Sequence, residues 1–191
     1  MKKIFLVLIL FFGSINILNA EVNRIISGNK EAKITIIAYE SLTCSHCADF
    51  HKDIYPQLKK DYIDTGLVKI EFRHFPLDVA AFNASKISQC KIGKGLEILN
   101  SLYSNQQEWV RGNTAEEIND NLKIFIKNQG FDVNFEKCIN NKKIEDYVLN
   151  DRIEGTKKFK VNATPTIIIN DEKFDKTLNY KNLKKSLEKL I

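Results

Sequence analysis

Cys44 and Cys47 are separated by Ser45-His46, at the point where an apolar β-branched run gives way to helical periodicity. Residues at i and i+3 share one face of a helical turn, so the two sulfurs can bond with little rearrangement. A cysteine at a helix start meets unpaired backbone N–H groups and the positive end of the helix dipole. Both favour thiolate, the attacking and leaving form in disulfide exchange. His46 can add positive charge or an N–H donor beside Cys44. Each pKa unit by which the thiol is depressed stabilises the reduced form by about 1.4 kcal/mol, making the disulfide a stronger oxidant. The expected chemistry is a redox dithiol.

Two other readings compete with it. Cys44, His46, Cys47 and His51 are nominally four zinc ligands, but no second Cys-x-x-Cys accompanies them, and structural zinc sites usually need one. A purely structural Cys44–Cys47 bridge closes a loop too short to constrain the chain much. Among nearby residues, Glu40 lies four positions before Cys44. A carboxylate buried there could relay a proton to or from Cys47, and one at a partly exposed strand end could not. His51, His74 and Trp109 are read as packing residues, as are most of the 12 Phe.

The elements that must position the cysteines follow from periodicity. Residues 33–39, K-I-T-I-I-A-Y, form a buried strand, and residues 48–62 a helix with Phe50, Ile54, Leu58 and Tyr62 on one face. A turn at 64–66 leads to a second strand at 67–72. Strand, helix, strand builds a parallel pair with a right-handed crossover. From Asp78 to Lys160 the pattern is helical, with segments at 80–91, 96–103 and 143–159. Another helix follows the capping box Thr114-x-x-Glu117, carries Ile118, Leu122, Phe125 and Ile126 as a stripe, and ends at Gly130. Strand returns at 166–170, a turn at Asn170-Asp171 leads to a hairpin strand at 172–174, and residues 180–191 close as a helix using Leu183, Leu187 and Leu190. A sheet domain interrupted by a helical insertion is expected.

The 191 residues, 43% hydrophobic and 28% charged, exclude a disordered chain and a membrane bundle. Residues 1–20 have the layout of a secretory signal peptide: Lys2 and Lys3, an apolar run from Ile4 to Phe12, and Ala20 before the expected cut. An uncleaved anchor is the alternative. Loss of the two lysines lowers the net charge from +5 to +3, a mild balance without a basic block, so no nucleic-acid partner is expected. Export places the cysteines where disulfides persist.

Three segments carry a family resemblance. Tyr39-Glu40-Ser41-Leu42-Thr43-Cys44-Ser45-His46-Cys47-Ala48-Asp49-Phe50-His51 resembles the active-site segment of the DsbA-like thiol:disulfide oxidoreductases of the thioredoxin superfamily. Phe72-Arg73-His74-Phe75-Pro76-Leu77-Asp78 resembles the segment after that family's second core strand, and Val161-Asn162-Ala163-Thr164-Pro165-Thr166 its cis-proline loop. The resemblance implies an α/β thioredoxin-like fold with an inserted all-helical domain. Residues 21–77 and 161–191 would form the core and 78–160 the insertion. It implies that Cys44 and Cys47 are the redox-active disulfide, with His46 tuning Cys44. Thr164 and a cis Pro165 would bind the substrate backbone.

Two departures bear on the activity: Ser45 stands where DsbA has proline, and Thr164 where it has valine. Threonine before the cis-proline also occurs in isomerase-type relatives, so oxidase and isomerase both remain open. Cys90 and Cys138 are each other's remaining partners if Cys44 pairs with Cys47, and similar family members carry cysteines near both places. A structural bridge is expected, the alternative being two small buried residues.

The resulting expectation is a monomeric periplasmic enzyme without cofactor or metal. It would oxidise reduced exported polypeptides and be recharged by a membrane oxidase of the DsbB type. A disulfide isomerase or reductase of the same fold, a periplasmic metal-binding protein using Cys44, Cys47 and a histidine, and an adhesion or structural thioredoxin-like domain are the rivals.

Overall fold

Strand β1 (Ile25–Ser27) lies at one edge of a five-stranded sheet whose middle strand is β2 (Ile34–Glu40). The computed structural model describes residues 22–191, so the expected signal peptide at 1–20 lies outside the described residues. All of β2 except Thr35 is buried, because both faces of the strand are covered. β3 (Val68–His74) runs parallel to β2, with Ile36 opposite Ile70 and Glu40 opposite His74. β4 (Thr166–Ile169) pairs antiparallel on the other side, Tyr39 opposite Thr166. β5 (Glu172–Lys173) completes the order β1-β3-β2-β4-β5. Asn170 and Asp171 both take positive φ, 47° and 69°, as a two-residue hairpin of the primed type requires.

The helix after β2 begins earlier than its periodicity suggests. α1 (Ser45–Asp49) has Cys44 as its N-cap, so the helical run starts at 45 rather than 48. It passes into a π-helical stretch at Phe50–Ile54, then α2 (Tyr55–Leu58), then a second π-helical stretch at Lys59–Ile63. Pro56 stands at the start of α2 and has no N–H to give to the preceding turn, which widens there. The buried stripe shifts accordingly: Phe50, Tyr55, Leu58 and Tyr62 are buried, and Ile54 is only half-buried.

Between β3 and β4 the described backbone is helical: α3 (Val79–Gln89), α4 (Gly95–Ser104), α5 (Gln106–Trp109), α6 (Ala115–Asn128), α7 (Phe135–Ile139) and α8 (Lys142–Phe159). Thr114 accepts from the Glu117 N–H at the start of α6, but the Glu117 carboxylate turns to the Asn113 N–H instead of closing the capping box on Thr114. The chain closes with α9 (Tyr180–Leu187). Leu183 and Leu187 are buried there, but Leu190 lies beyond the helix end and is 49% exposed, contrary to the stripe read from its spacing. Cys90, at the end of α3, is disulfide-bonded to Cys138 in α7.

Two apolar clusters clamp the sheet. Ile36, Phe50, Leu58, Phe72 and Leu187 belong to the larger. Ile37, Tyr39, Phe75, Phe159, Val161 and Ile168 form the smaller. Glycine weakens a helix interior, yet Gly155 is needed in α8. A Cβ there would lie 2.7 Å from the Tyr39 ring.

Candidate active site

The end of β2 delivers Glu40 and Ser41 into the interior, and the chain turns so that the Cys44 N–H donates to the Ser41 carbonyl at 3.0 Å. Cys44 is extended (φ −78°, ψ 120°), and its carbonyl accepts from the N–H groups of Cys47 and Ala48 at 3.1 and 3.2 Å. That geometry leaves the Cys44 side chain half-buried at the helix start, with Cys47 wholly buried one turn on. Both are free thiols here. The Thr164–Pro165 peptide bond is cis. The Cys44 thiol donates to the Thr164 carbonyl at 3.4 Å, so the loop before β4 faces the exposed sulfur.

The two sulfurs occupy opposite environments. The Cys44 thiol is lowered from its ordinary range to about 5, chiefly by a hydrogen bond from the Cys47 thiol. Burial opposes this, while Thr164 and the main-chain N–H groups of Cys47 and His46 add to it. The Thr164 hydroxyl has no partner inside the protein among the described residues, which leaves its O–H free to turn onto the thiolate. Cys47 is pushed strongly upward, first by burial, then by its bond to Cys44, then by the charge of Glu40. A half-exposed sulfur that readily loses its proton therefore lies beside a buried one that holds it.

His46 acts on this pair through its backbone. Its ring is 81% exposed and leans toward Asp49, 3.7 Å away. A solvated ring couples weakly to the sulfur, and it is the His46 main-chain N–H that contributes to lowering Cys44, after the larger effects of Cys47 and Thr164.

Beneath the pair lies a buried polar cluster. Glu40 and His51 are joined at 2.9 Å (Oε2 to Nε2), both almost fully enclosed. Glu40 Oε1 and His51 Nδ1 have no further partner among the described residues. The His51 ring stacks on Tyr103 from α4, centroids 4.1 Å apart. Burial and the charges of Glu40 and the two cysteines raise the Tyr103 hydroxyl well above its ordinary range. His51 thus belongs to the packed interior, and no group of three or more His, Cys, Asp or Glu converges as a metal site among the described residues. His74 lies outside the pair's surroundings: buried, accepting from the Gln89 amide at 2.9 Å, its imidazole lowered to about 4 by burial. Trp109 is buried too, its indole N–H donating to the Leu102 carbonyl.

Beside Cys44, a groove of about 520 Å³ runs between the active-site helix and the cis-proline loop. Phe50, Ile54, Pro165 and Leu178 give it apolar walls, and His46 and Asn179 polar ones.

Comparison with known proteins places this arrangement. The thioredoxin family model matches residues 20–189. The crystal structure of Wolbachia pipientis α-DsbA1 superposes with a TM-score of 0.77 at 30% identity, covering 88% of this chain and 90% of that one. The chain belongs to the DsbA-type thioredoxin family. Disulfide bond formation protein D of Bacillus subtilis (strain 168) is 27% identical over 172 residues, 85% of this chain and 74% of that protein. A Rickettsia prowazekii (strain Madrid E) protein, named provisionally as a protein-disulfide oxidoreductase, is 28% identical over 174 residues. This chain spans 62% of that relative's length.

Three residues that meet the active-site turn or the His51 ring were not singled out in the sequence. Asp78 caps α3 through the Ala81 N–H and accepts from Thr43 Oγ1 at 2.6 Å, tying the active-site turn to the helical segment. Tyr103 stacks on His51, and Gln106 reaches the same turn from α5. Only the Asp preceding a helical pattern was readable, as a helix cap.

Proposed function

We propose that this protein catalyses thiol–disulfide exchange on reduced exported polypeptides, with Cys44 and Cys47 as its redox couple. The observation that carries the reading is the opposed state of the two sulfurs, Cys44 low and partly exposed, Cys47 buried and held protonated. In the oxidising direction a substrate thiolate attacks Cys44 of the Cys44–Cys47 disulfide, forming a mixed disulfide and releasing Cys47, which takes up a proton. A second substrate thiolate then attacks the substrate sulfur of the mixed bond and expels Cys44 as a thiolate. The substrate leaves with a disulfide, and its two electrons remain on the Cys44/Cys47 dithiol. A sulfur with a low pKa is the better leaving group, which makes the second step favourable.

The remaining groups have supporting roles in this reading. Thr164 and Pro165 hold the substrate backbone beside Cys44, and the groove takes its apolar side chains. The buried Glu40, paired with His51, exchanges the proton with Cys47. The main-chain N–H of His46 helps hold the Cys44 thiolate. The helix-start thiolate favours the oxidase over the isomerase or reductase. A membrane oxidase of the DsbB type would re-form the disulfide. The leader-like residues 1–20 support a periplasmic location.

Equilibration with glutathione tests the direction of the reaction. The expected potential lies well above the roughly −270 mV of a thioredoxin-type reductant, with reduced, unfolded polypeptide oxidised stoichiometrically by the disulfide form. A potential at or below that value would make the protein a reductant and overturn the oxidase reading.

A further inference from the structure

α4 and α5 meet at a kink that Asn105 and Trp109 pin in place. The Asn105 side chain donates to the Ser101 carbonyl at 2.9 Å, and the buried Trp109 indole to Leu102. The kink aims Gln106 out of the helical segment toward the active-site turn. There its Nε2 donates to the Leu42 carbonyl at 2.8 Å and to the Cys44 carbonyl at 3.0 Å. One primary amide nitrogen carries two hydrogens, so this contact uses both.

We propose that Gln106 is a positioning residue for Cys44: it fixes the two carbonyls of the active-site turn and so fixes the main-chain N–H groups that face the sulfur. The Cys44 carbonyl is the acceptor that starts α1, receiving from Cys47 and Ala48. Its orientation sets that of the first turn, including the His46 and Cys47 N–H groups. Thr43 bonded to Asp78 anchors the other side of the turn, so losing Gln106 loosens one clamp of two. The inference rests on Cys44 being the attacking thiolate.

Gln106→Met keeps the length of the side chain without donors, and Gln106→Glu keeps its shape but replaces donors with acceptors. Ultraviolet thiolate absorbance against pH should show the Cys44 transition about one pH unit higher in Gln106→Met, and higher again in Gln106→Glu. The glutathione equilibrium should move about tenfold toward the disulfide form, about 30 mV. A purely structural role would lower the melting temperature and leave both readings alone. Unmoved readings beside a low wild-type thiolate would overturn the inference by itself. A wild-type protein with no thiolate below pH 7 would overturn the assignment of Cys44, and this inference with it. Nuclear magnetic resonance of the unmodified protein needs no variant. Both Gln106 side-chain amide protons should be slowed in solvent exchange, and free-amide behaviour would contradict the clamp.

Discussion

Cys44→Ser is expected to abolish disulfide exchange, whereas Cys47→Ser is expected to accumulate mixed disulfides with substrate. With its pKa near 5, Cys44 holds about a hundred thiolates per thiol at pH 7. A serine hydroxyl has no comparable nucleophile, so the loss should be on the order of 10³ or more, as when an enzyme's attacking group is removed. Cys47 is wholly buried and cannot be reached by a substrate sulfur, but in the reverse direction, where the Cys44 thiolate attacks a substrate disulfide, it is the thiol that resolves the mixed bond. Its serine variant therefore stalls after the first step. Non-reducing gels of each reduced variant mixed with a disulfide-bonded polypeptide give the measurement: the Cys44 thiolate attacks the substrate disulfide, one substrate sulfur leaves as a thiolate, and the mixed bond persists where Cys47 is absent. Equal trapping by the two would contradict the assigned roles.

Cys90→Ala/Cys138→Ala is expected to cost about 4 kcal/mol of stability while leaving exchange at Cys44 intact. The bridge closes a loop with a sequence separation of 48. Restricting an unfolded chain over that length is worth roughly 4 kcal/mol in the chain-entropy account. The bonded residues join the end of α3 to α7, so the helical segment should open first. Urea unfolding of the double variant, against the parent under non-reducing conditions, would show the loss as a lower midpoint. An unchanged midpoint would mean that packing between α3 and α7 already does what the bridge was assigned.

What the sequence made legible follows the range of the interactions involved. The β2 strand, the helix start at the cysteines and the cap at Thr114 depend on neighbours within a few residues, and composition and spacing report those. β1 is three residues long and is a strand only because Ile25 and Ser27 pair with Phe72 and Ile70. The first π-helical stretch answers to Pro56, which has no N–H to give to the turn before it. Leu190 kept the periodicity of a helix face after the helix itself had ended. At the site, the position of Cys44 was readable from the chain. The Glu40–His51 pair, the Tyr103 stack and the Gln106 clamp join segments 11 to 64 residues apart. No local pattern encodes them. His46 was singled out for its imidazole, but the fold brings its amide to the sulfur and leaves the ring in solvent.

The titration of Cys44 in the fully reduced protein tests the central claim most directly. Its pKa in the folded protein lies below that of an unfolded thiol. The stabilisation of the reduced form is therefore complete above the unfolded pKa and is lost as the pH falls through about 5. Thiolate absorbance followed from pH 3 to pH 10, with Cys47→Ser as the control for its hydrogen bond to Cys44, should rise in a single step near pH 5. The same step should be missing from Cys44→Ser. A first transition at the roughly 8.5 of an ordinary cysteine would leave Cys44 without the thiolate on which the exchange reaction, its oxidising direction and the role of Gln106 all depend.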